Sequence, residues 1–436
     1  MYFNVTLLLL AGILVVLMHA GLALVTTGLC RAKNAAHVIS TNLVIFAFSI
    51  LGFWACGFAL MAAVWPGIPG ASGFPGGHWF FLHGAVSQPA ILARFFFQAA
   101  LIAIAAIIPA GAMAERWKFS NIISYAFVFS AVPFAIFGRW VWGGGWLSAV
   151  GSSLGLGHGF VDFGGSSVIH MAGGVVGLMG AIALGPRIGK YARDGRPRPM
   201  PGHNLVFVVV GTIILAVGWF GFNLGPEVFR DGARAPLIAV NTLLAAVAGA
   251  AAAYTVVTIK FRKPDPSMVC NGLLAGLVAI SASCVFVNPA GAIITGVVAG
   301  ILVVYSVLFF EGTMKVDDPM GALSVHGVGG AWGVISLGLF ADGNSDTPGT
   351  GVSGAFATIF GGAKNDWSQL GAQIIGALTC FVFFGVVSWV WFKICHLFAP
   401  LRSRHEDEIA GLDLPEMGAE CYPDFHLTDK GSTRAE

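Results

Sequence analysis

Long apolar runs constrain this chain more than any other feature of its sequence. Crossing a hydrocarbon core about 30 Å thick takes around twenty apolar residues in a helix. Eleven such runs can be marked, over roughly residues 5–28, 38–64, 90–113, 121–141, 162–184, 203–224, 236–259, 268–286, 289–310, 319–341 and 370–397. Only 10% of the residues are charged and 56% are hydrophobic, whereas a soluble chain would carry roughly 25% charged residues. The runs lack the two-residue alternation of a membrane barrel, so helices are the way to satisfy backbone groups without water. The predicted fold class is an all-α integral membrane protein with eleven transmembrane helices in a lipid bilayer. Sixty glycines suit it, because small residues let membrane helices approach closely.

A net charge of +2 with no basic block gives no sign of a nucleic-acid partner. The seven cysteines show no CxxC or metal-ligand spacing, and most lie inside apolar runs, where they act as small packed hydrophobes. Neither a metal site nor another cofactor is expected, and the chain reads as a carrier or pore, not an enzyme. The first run lacks a basic leader region and extends past twenty residues, so it reads as a first spanning helix, with a cleaved leader as the alternative.

Orientation follows from lysine and arginine, which concentrate on the cytoplasmic side. Arg31 and Lys33, Arg116 and Lys118, the five basic residues from Arg187 to Arg198, Lys260 to Lys263, Lys315, and Arg402 with Arg404 all fall in alternate loops or the tail. The expected arrangement is a multi-pass protein of the plasma (inner) membrane, N-terminus outside and C-terminus cytoplasmic. Residues 1–398 form the transmembrane domain and 399–436 a cytoplasmic tail. The segments 65–89 and 342–369 are rich in Gly, Pro and Ser and read as structureless outer loops. In the tail, apolar and turn residues interrupt the charges, which suits a docked peptide more than a disordered one.

An internal repeat singles out two histidines. The fifth run begins DFGGSSVIHMAGGVVG and the tenth DPMGALSVHGVGGAWG. Asp162 and Asp318 each precede a histidine by eight residues, and His170 and His326 are each followed by glycines at +3, +4 and +7. The runs are five apart, so they cross in opposite directions. This predicts an inverted repeat of five plus five helices (about 5–184 and 203–341) with an extra helix at about 370–397, an architecture that places sites near the midplane. Eight helical residues at about 1.5 Å each would put both histidines roughly 12 Å deep, near the centre. Both aspartates stand at expected helix starts, where a carboxylate caps free N–H groups; Pro319 is expected at the first helical position after Asp318. Asp162 could also favour a cation.

Intramembrane ionisable groups are costly and tend to be functional. Neutral imidazoles, each with one donor and one acceptor, suit a small neutral hydrogen-bonding solute or a proton relay. Trp142, and Trp219 with Phe222, could hold a cation over their ring faces nearby; the interfacial aromatic belt is the other reading.

These residues resemble the ammonium transporter (Amt/Mep/Rh) family over nearly the whole chain. GLALVTTGLCRAKN, GAMAERWKF, VWGGG, DFGGSSVIHMAGG, GWFGFNLG, NGLLAGLVAI, DDPMGALSVHGVGGAWG and GLDLPEMG carry the resemblance. It implies a homotrimer with one pore per subunit and ammonium as substrate. His170 and His326 would be the twin pore histidines, Asp162 the outer aspartate, Trp142 the recruiting tryptophan, Phe222 one of two gate phenylalanines and Trp219 a pore-lining neighbour. The implied mechanism serves nitrogen uptake: ammonium is captured and deprotonated, ammonia passes the histidines, and the proton crosses separately. Glu408, Gly411, Leu412, Asp413 and Gly418 match a tail segment that folds under the trimer, where PII-type signalling proteins often bind.

Two positions depart from the pattern. The second gate phenylalanine falls on Leu101, and Pro226 stands where many bacterial members place a recruiting serine. Neither offers a ring face or a hydroxyl, so weaker capture is expected. The competing readings are a non-conducting ammonium sensor of the same fold, signalling to a cytoplasmic partner, and a haem protein using the histidines as axial ligands, for which the flanking glycines leave little room.

Overall fold

The computed structural model describes residues 4–62, 79–229, 232–343 and 351–423. Fifteen α-helices follow in order: α1 Val5–Leu29, α2 Ala35–Gly52, α3 Phe58–Met61, α4 Pro89–Met113, α5 Phe119–Ala131, α6 Pro133–Val141, α7 Trp146–Leu154, α8 Ala172–Leu184, α9 Leu205–Leu224, α10 Ala235–Phe261, α11 Pro266–Ile280, α12 Pro289–Phe309, α13 Gly329–Phe340, α14 Trp367–Phe398 and α15 His405–Ala410. Among the described residues there is no strand, only isolated bridges such as Asp342 with Ser353. Ten stretches among the described residues are long and apolar enough to cross a membrane. The chain is an all-helical, multi-pass membrane protein.

Local chemistry sets the helix ends. Asn4, Asn204 and Asn288 each accept a backbone N–H three residues on, and Pro opens α4, α6, α10, α11 and α12, where its missing N–H costs nothing. Pro133 breaks the expected fourth span into α5 and α6, because its ring cannot continue the preceding turn. The eighth expected run is helical only over the 15 residues of α11 and ends in turns at Ser281. Residues 65–78 and 344–350 of the two expected loops, with 63–64 at the end of the second expected run, lie outside the described residues; the described remainder of the loops includes short 3-10 turns at Phe80–Leu82 and Ala357–Phe360.

The histidine-bearing runs also start later than expected. Residues 162–165 and 315–321 are irregular, and π-helical segments Ser166–Met171 and Leu323–Val328 lead into α8 and α13. Pro319 therefore lies in a turn and not at a helix start. The depth arithmetic fails with it, since only four of the eight residues before His170 climb as helix.

α4 is buried nearly all round, whereas α14 exposes most of its surface. At the end where the tail docks, ion pairs between loops tie the bundle together. Arg187 donates to both Asp317 carboxylate oxygens at 2.9 and 3.0 Å and to Glu115 at 3.0 Å. Glu115 also takes the Arg31 guanidinium and the Asn34 amide. Burial would raise the Asp317 pKa, but the Arg187 bonds and the charges of Arg187 and Arg116 outweigh it and hold it at about 2.

Candidate functional site

The two repeat segments cross back to back. A Cβ on Gly174 would meet Gly327 Cα at 2.4 Å, and one on Gly330 would meet the Ser166 carbonyl at 2.3 Å. Only glycine allows that approach, and it brings the histidines together: His170 Nδ1 and His326 Nδ1 lie 3.2 Å apart, both rings buried. One nitrogen must donate and the other accept, so the pair shares one tautomeric arrangement. Two axial nitrogens on opposite faces of one haem iron stand about 4 Å apart; this pair is too close to flank a haem iron in that way.

Aromatic rings extend the pair into a stack. His170 lies roughly parallel to Trp219 at 5.0 Å and to Phe222 at 5.3 Å between centroids, and His326 lies beside it across the Nδ1–Nδ1 contact, with centroids 5.2 Å apart. Trp219 is held by its indole N–H, donated to Ser281 Oγ at 2.9 Å. Ser281, the residue at which α11 ends, supplies that acceptor. His170 Nε2 is buried without a partner.

A cavity of about 480 Å³ is lined by Leu101, Trp142, Asp162 and Pro226 among others. Both departures from the family pattern thus face one space with the predicted tryptophan. The Trp142 indole donates to the Asp162 carbonyl at 2.6 Å. The Asp162 carboxylate accepts from the N–H groups of Gly165, Ser166, Ser167 and Val168 and from the Ser167 hydroxyl, all within 3.0 Å. Capping therefore consumes it, and any effect on a cation acts through its charge. Asp318 does the same for Ala322 and Leu323 at 3.0 and 2.7 Å. His326 lines a second, smaller cavity with Thr26, Asn271 and Met320.

Two residues of this site escape sequence reasoning. Phe97 and Gln98 line the large cavity beside Leu101. The Phe97 ring packs so closely on Gly225 that a Cβ there would meet it at 2.1 Å, so an aromatic face stands one helical turn from Leu101. Gln98 is 5% exposed and its Oε1 has no partner. Their signal was the FQ pair one turn before Leu101, hidden because α4 is apolar on all sides.

Four of the five tail residues make docking contacts, and the fifth, Gly418, ends a turn within the tail. Glu408 accepts from the Ile188 N–H at 2.7 Å and from Arg402. Gly411 has φ +121 and crosses the Lys33 carbonyl, where a Cβ would come within 2.5 Å. The buried Leu412 donates its N–H to Asn34 Oδ1 at 2.9 Å, and Asp413 accepts from Ala36 and His37 N–H. Gly418, φ +71, closes the last turn. Among the described residues no group of three or more His, Cys, Asp or Glu could hold a metal.

Comparison with known proteins converges on one family. The model of the Ammonium Transporter Family matches residues 6–422. The ammonium transporter Amt2 of Archaeoglobus fulgidus is 42% identical over 428 residues, covering 97% of this chain and 88% of that protein. An ammonium transporter of Bacillus subtilis is 33% identical, with 95% and 96% covered. Among solved structures, a Sensor Amt Protein superposes with a TM-score of 0.82 at 32% identity, covering 95% of this chain and 98% of that one. Saccharomyces cerevisiae Mep2 gives 0.78 at 26%, covering 92% and 88%. On sequence and fold alike, this chain belongs to the ammonium transporter family.

Proposed function

We propose that the protein transports ammonium across the plasma membrane, N-terminus outside, as a homotrimer with one pore in each subunit. The observation that carries this is the buried cluster of Phe222, Trp219, His170 and His326, together with a large cavity lined by Trp142, Leu101 and Pro226 and a smaller one that His326 lines. Ammonium enters the large cavity, where the faces of Trp142 and Phe97 and the Gln98 carbonyl oxygen favour a cation. It loses a proton near Phe222, because the small attraction of ring faces for a bare ion does not offset the cost of its full desolvation. Ammonia then passes the His170–His326 pair, which offers a donor and an acceptor, and leaves beside Asn271. The proton crosses separately, with the shared hydrogen bond of the histidines as one step. Neutral ammonia is the moving species in the narrow part. Leu101 leaves the ring of Phe222 without its expected partner there.

In this reading eleven helices cross the bilayer, with α11 as the shorter crossing, and the two halves form an inverted repeat followed by α14. Residues 1–398 are the transmembrane domain, and 399–436 form a cytoplasmic tail that offers a PII-type protein its docking face. Liposomes carrying the protein, pulsed with ammonium, test it: current or a pH change is expected. A silent preparation that still binds ammonium would instead establish the sensor reading, which Leu101 and Pro226 favour by weakening capture. A cytoplasmic partner would then carry the signal.

A further inference from the structure

Two tail carboxylates grip the starts of α2 and α5. Asp413 accepts from the N–H groups of Ala36 and His37 at 3.0 and 2.8 Å. Glu416 accepts from the Phe119 N–H at 2.7 Å, the Ser403 hydroxyl at 2.6 Å and His37 Nε2 at 3.2 Å. Burial pushes the Glu416 pKa up, but the bonds from His37, Ser403 and Phe119 outweigh it and hold the carboxyl below the ordinary glutamate range. An ionised carboxylate only accepts, so His37 presents Nε2 as N–H, and in the neutral ring Nδ1 is a bare lone pair.

That Nδ1 has no protein partner, and His37 lines a cavity of about 10 Å³, the space of a single water-sized molecule. Three more partnerless buried atoms belong to residues of the same wall: Thr41 Oγ1, Asn42 Oδ1 and Trp117 Nε1. The four residues are 2%, 5%, 4% and 2% exposed. Asn42 spends its amide nitrogen on Thr26 Oγ1 and the Val38 carbonyl at 2.9 and 2.8 Å, which leaves its oxygen over. One orphaned buried polar atom is costly; four around so small a space call for a shared partner.

The donor pattern narrows what that partner is. Trp117 Nε1 only donates, Asn42 Oδ1 only accepts, Nδ1 of a neutral His37 ring accepts, and the Thr41 hydroxyl does either. The occupant needs a lone pair for the indole and at least two hydrogens to give. Ammonium ion has no lone pair and is excluded, as is any metal cation. Water and ammonia both fit. The chamber shares Thr26 and Met320 with the cavity that ends at His326, so it stands beside the pore exit.

We propose that this chamber is a binding site for one small neutral hydride, water or ammonia, and that the docked tail completes it by fixing His37. The occupancy stands on the four atoms alone; only ammonia as occupant rests on the transport reading. Thr41→Val in the full-length protein tests it, since the two side chains have nearly the same shape. Deleting a hydroxyl that binds nothing leaves the melting midpoint unchanged or raised, because an orphan is removed. Deleting one that holds the occupant lowers it by about 2 °C, and Thr41→Ser restores it. An unchanged or higher midpoint overturns the site. If Thr41→Ser fails to restore the midpoint, packing and not the hydroxyl explains the loss, and the site is likewise overturned. Repeating the pair in alkaline ammonium chloride against sodium chloride separates the occupants: a gap that widens with ammonia identifies ammonia, and a constant gap identifies water. In a Glu416→Ala background the effect of Thr41→Val should shrink by about half or more. An undiminished effect removes the tail from the proposal.

Discussion

Gly174 and Gly327 meet backbone to backbone: a Cβ on Gly174 would stand 2.4 Å from both N and Cα of Gly327. The contact is what allows two imidazoles on separate segments to reach 3.2 Å. Gly174→Val should therefore force the segments apart, at about 2–3 kcal/mol for overpacking. The expected outcome is a lower thermal midpoint together with loss of ammonium-driven current. A stable variant with normal current would show that the crossing does not set the histidine geometry.

His170 lies at the middle of the stack, and its Nε2 has no protein partner. Replacing it with alanine removes a ring face from Trp219 and Phe222 and a hydrogen-bond partner from His326 at once. The predicted result is an altered or abolished ammonium current in liposomes, with the protein still folded. Unchanged rate and selectivity against potassium would end the pore reading of this residue.

Much of this site was legible because the signal was periodic and paired. Asp162 and Asp318, the histidines eight residues on and the trailing glycines repeat at fixed offsets, and the contact between the segments follows from those glycines. The depth estimate failed for a local reason: each aspartate reaches forward to cap from an irregular turn, which no apolar pattern reveals. Phe97 and Gln98 were invisible because α4 is buried on every side, so no stripe marks the face that lines the cavity. The Arg187–Asp317–Glu115 network joins residues 130 and 72 positions apart, and single-chain spacing carries no trace of such pairs. The docking of the tail was legible in its turn residues, but Glu416 was missed because its partners, His37, Phe119 and Ser403, come from three different segments.

Arg187 and Asp317 predict a particular acid sensitivity. An ordinary aspartate titrates near 3.9, and Asp317 is held at about 2 in the folded protein. The depressed value stabilises the fold by about 2–3 kcal/mol; that contribution is complete above about pH 4 and fades as pH falls towards 2. The melting midpoint of the wild type should fall more steeply than that of Asp317→Asn across this window. Above it, the variant should be less stable by about 3 kcal/mol, having left Arg187 only partly paired. Parallel curves would remove Asp317 from the account.

Gln98 gives the sharpest test of how this chain captures its ion. The cavity wall near Leu101 and Pro226 offers no hydroxyl, Asp162 is consumed by capping, and the Ser148 hydroxyl donates to the Gly145 carbonyl. Gln98 Oε1 is the buried acceptor that remains without a partner. A hydrogen bond from a cation contributes about 1.5–3 kcal/mol, so Gln98→Leu should raise the half-saturating ammonium concentration at least roughly tenfold. Maximal current should change little, because the narrow part of the pathway is untouched. Adding Pro226→Ser to that variant supplies a hydroxyl to the same cavity and should recover part of the affinity. A concentration dependence that Gln98→Leu leaves in place would assign capture to the aromatic faces of Trp142 and Phe97 alone.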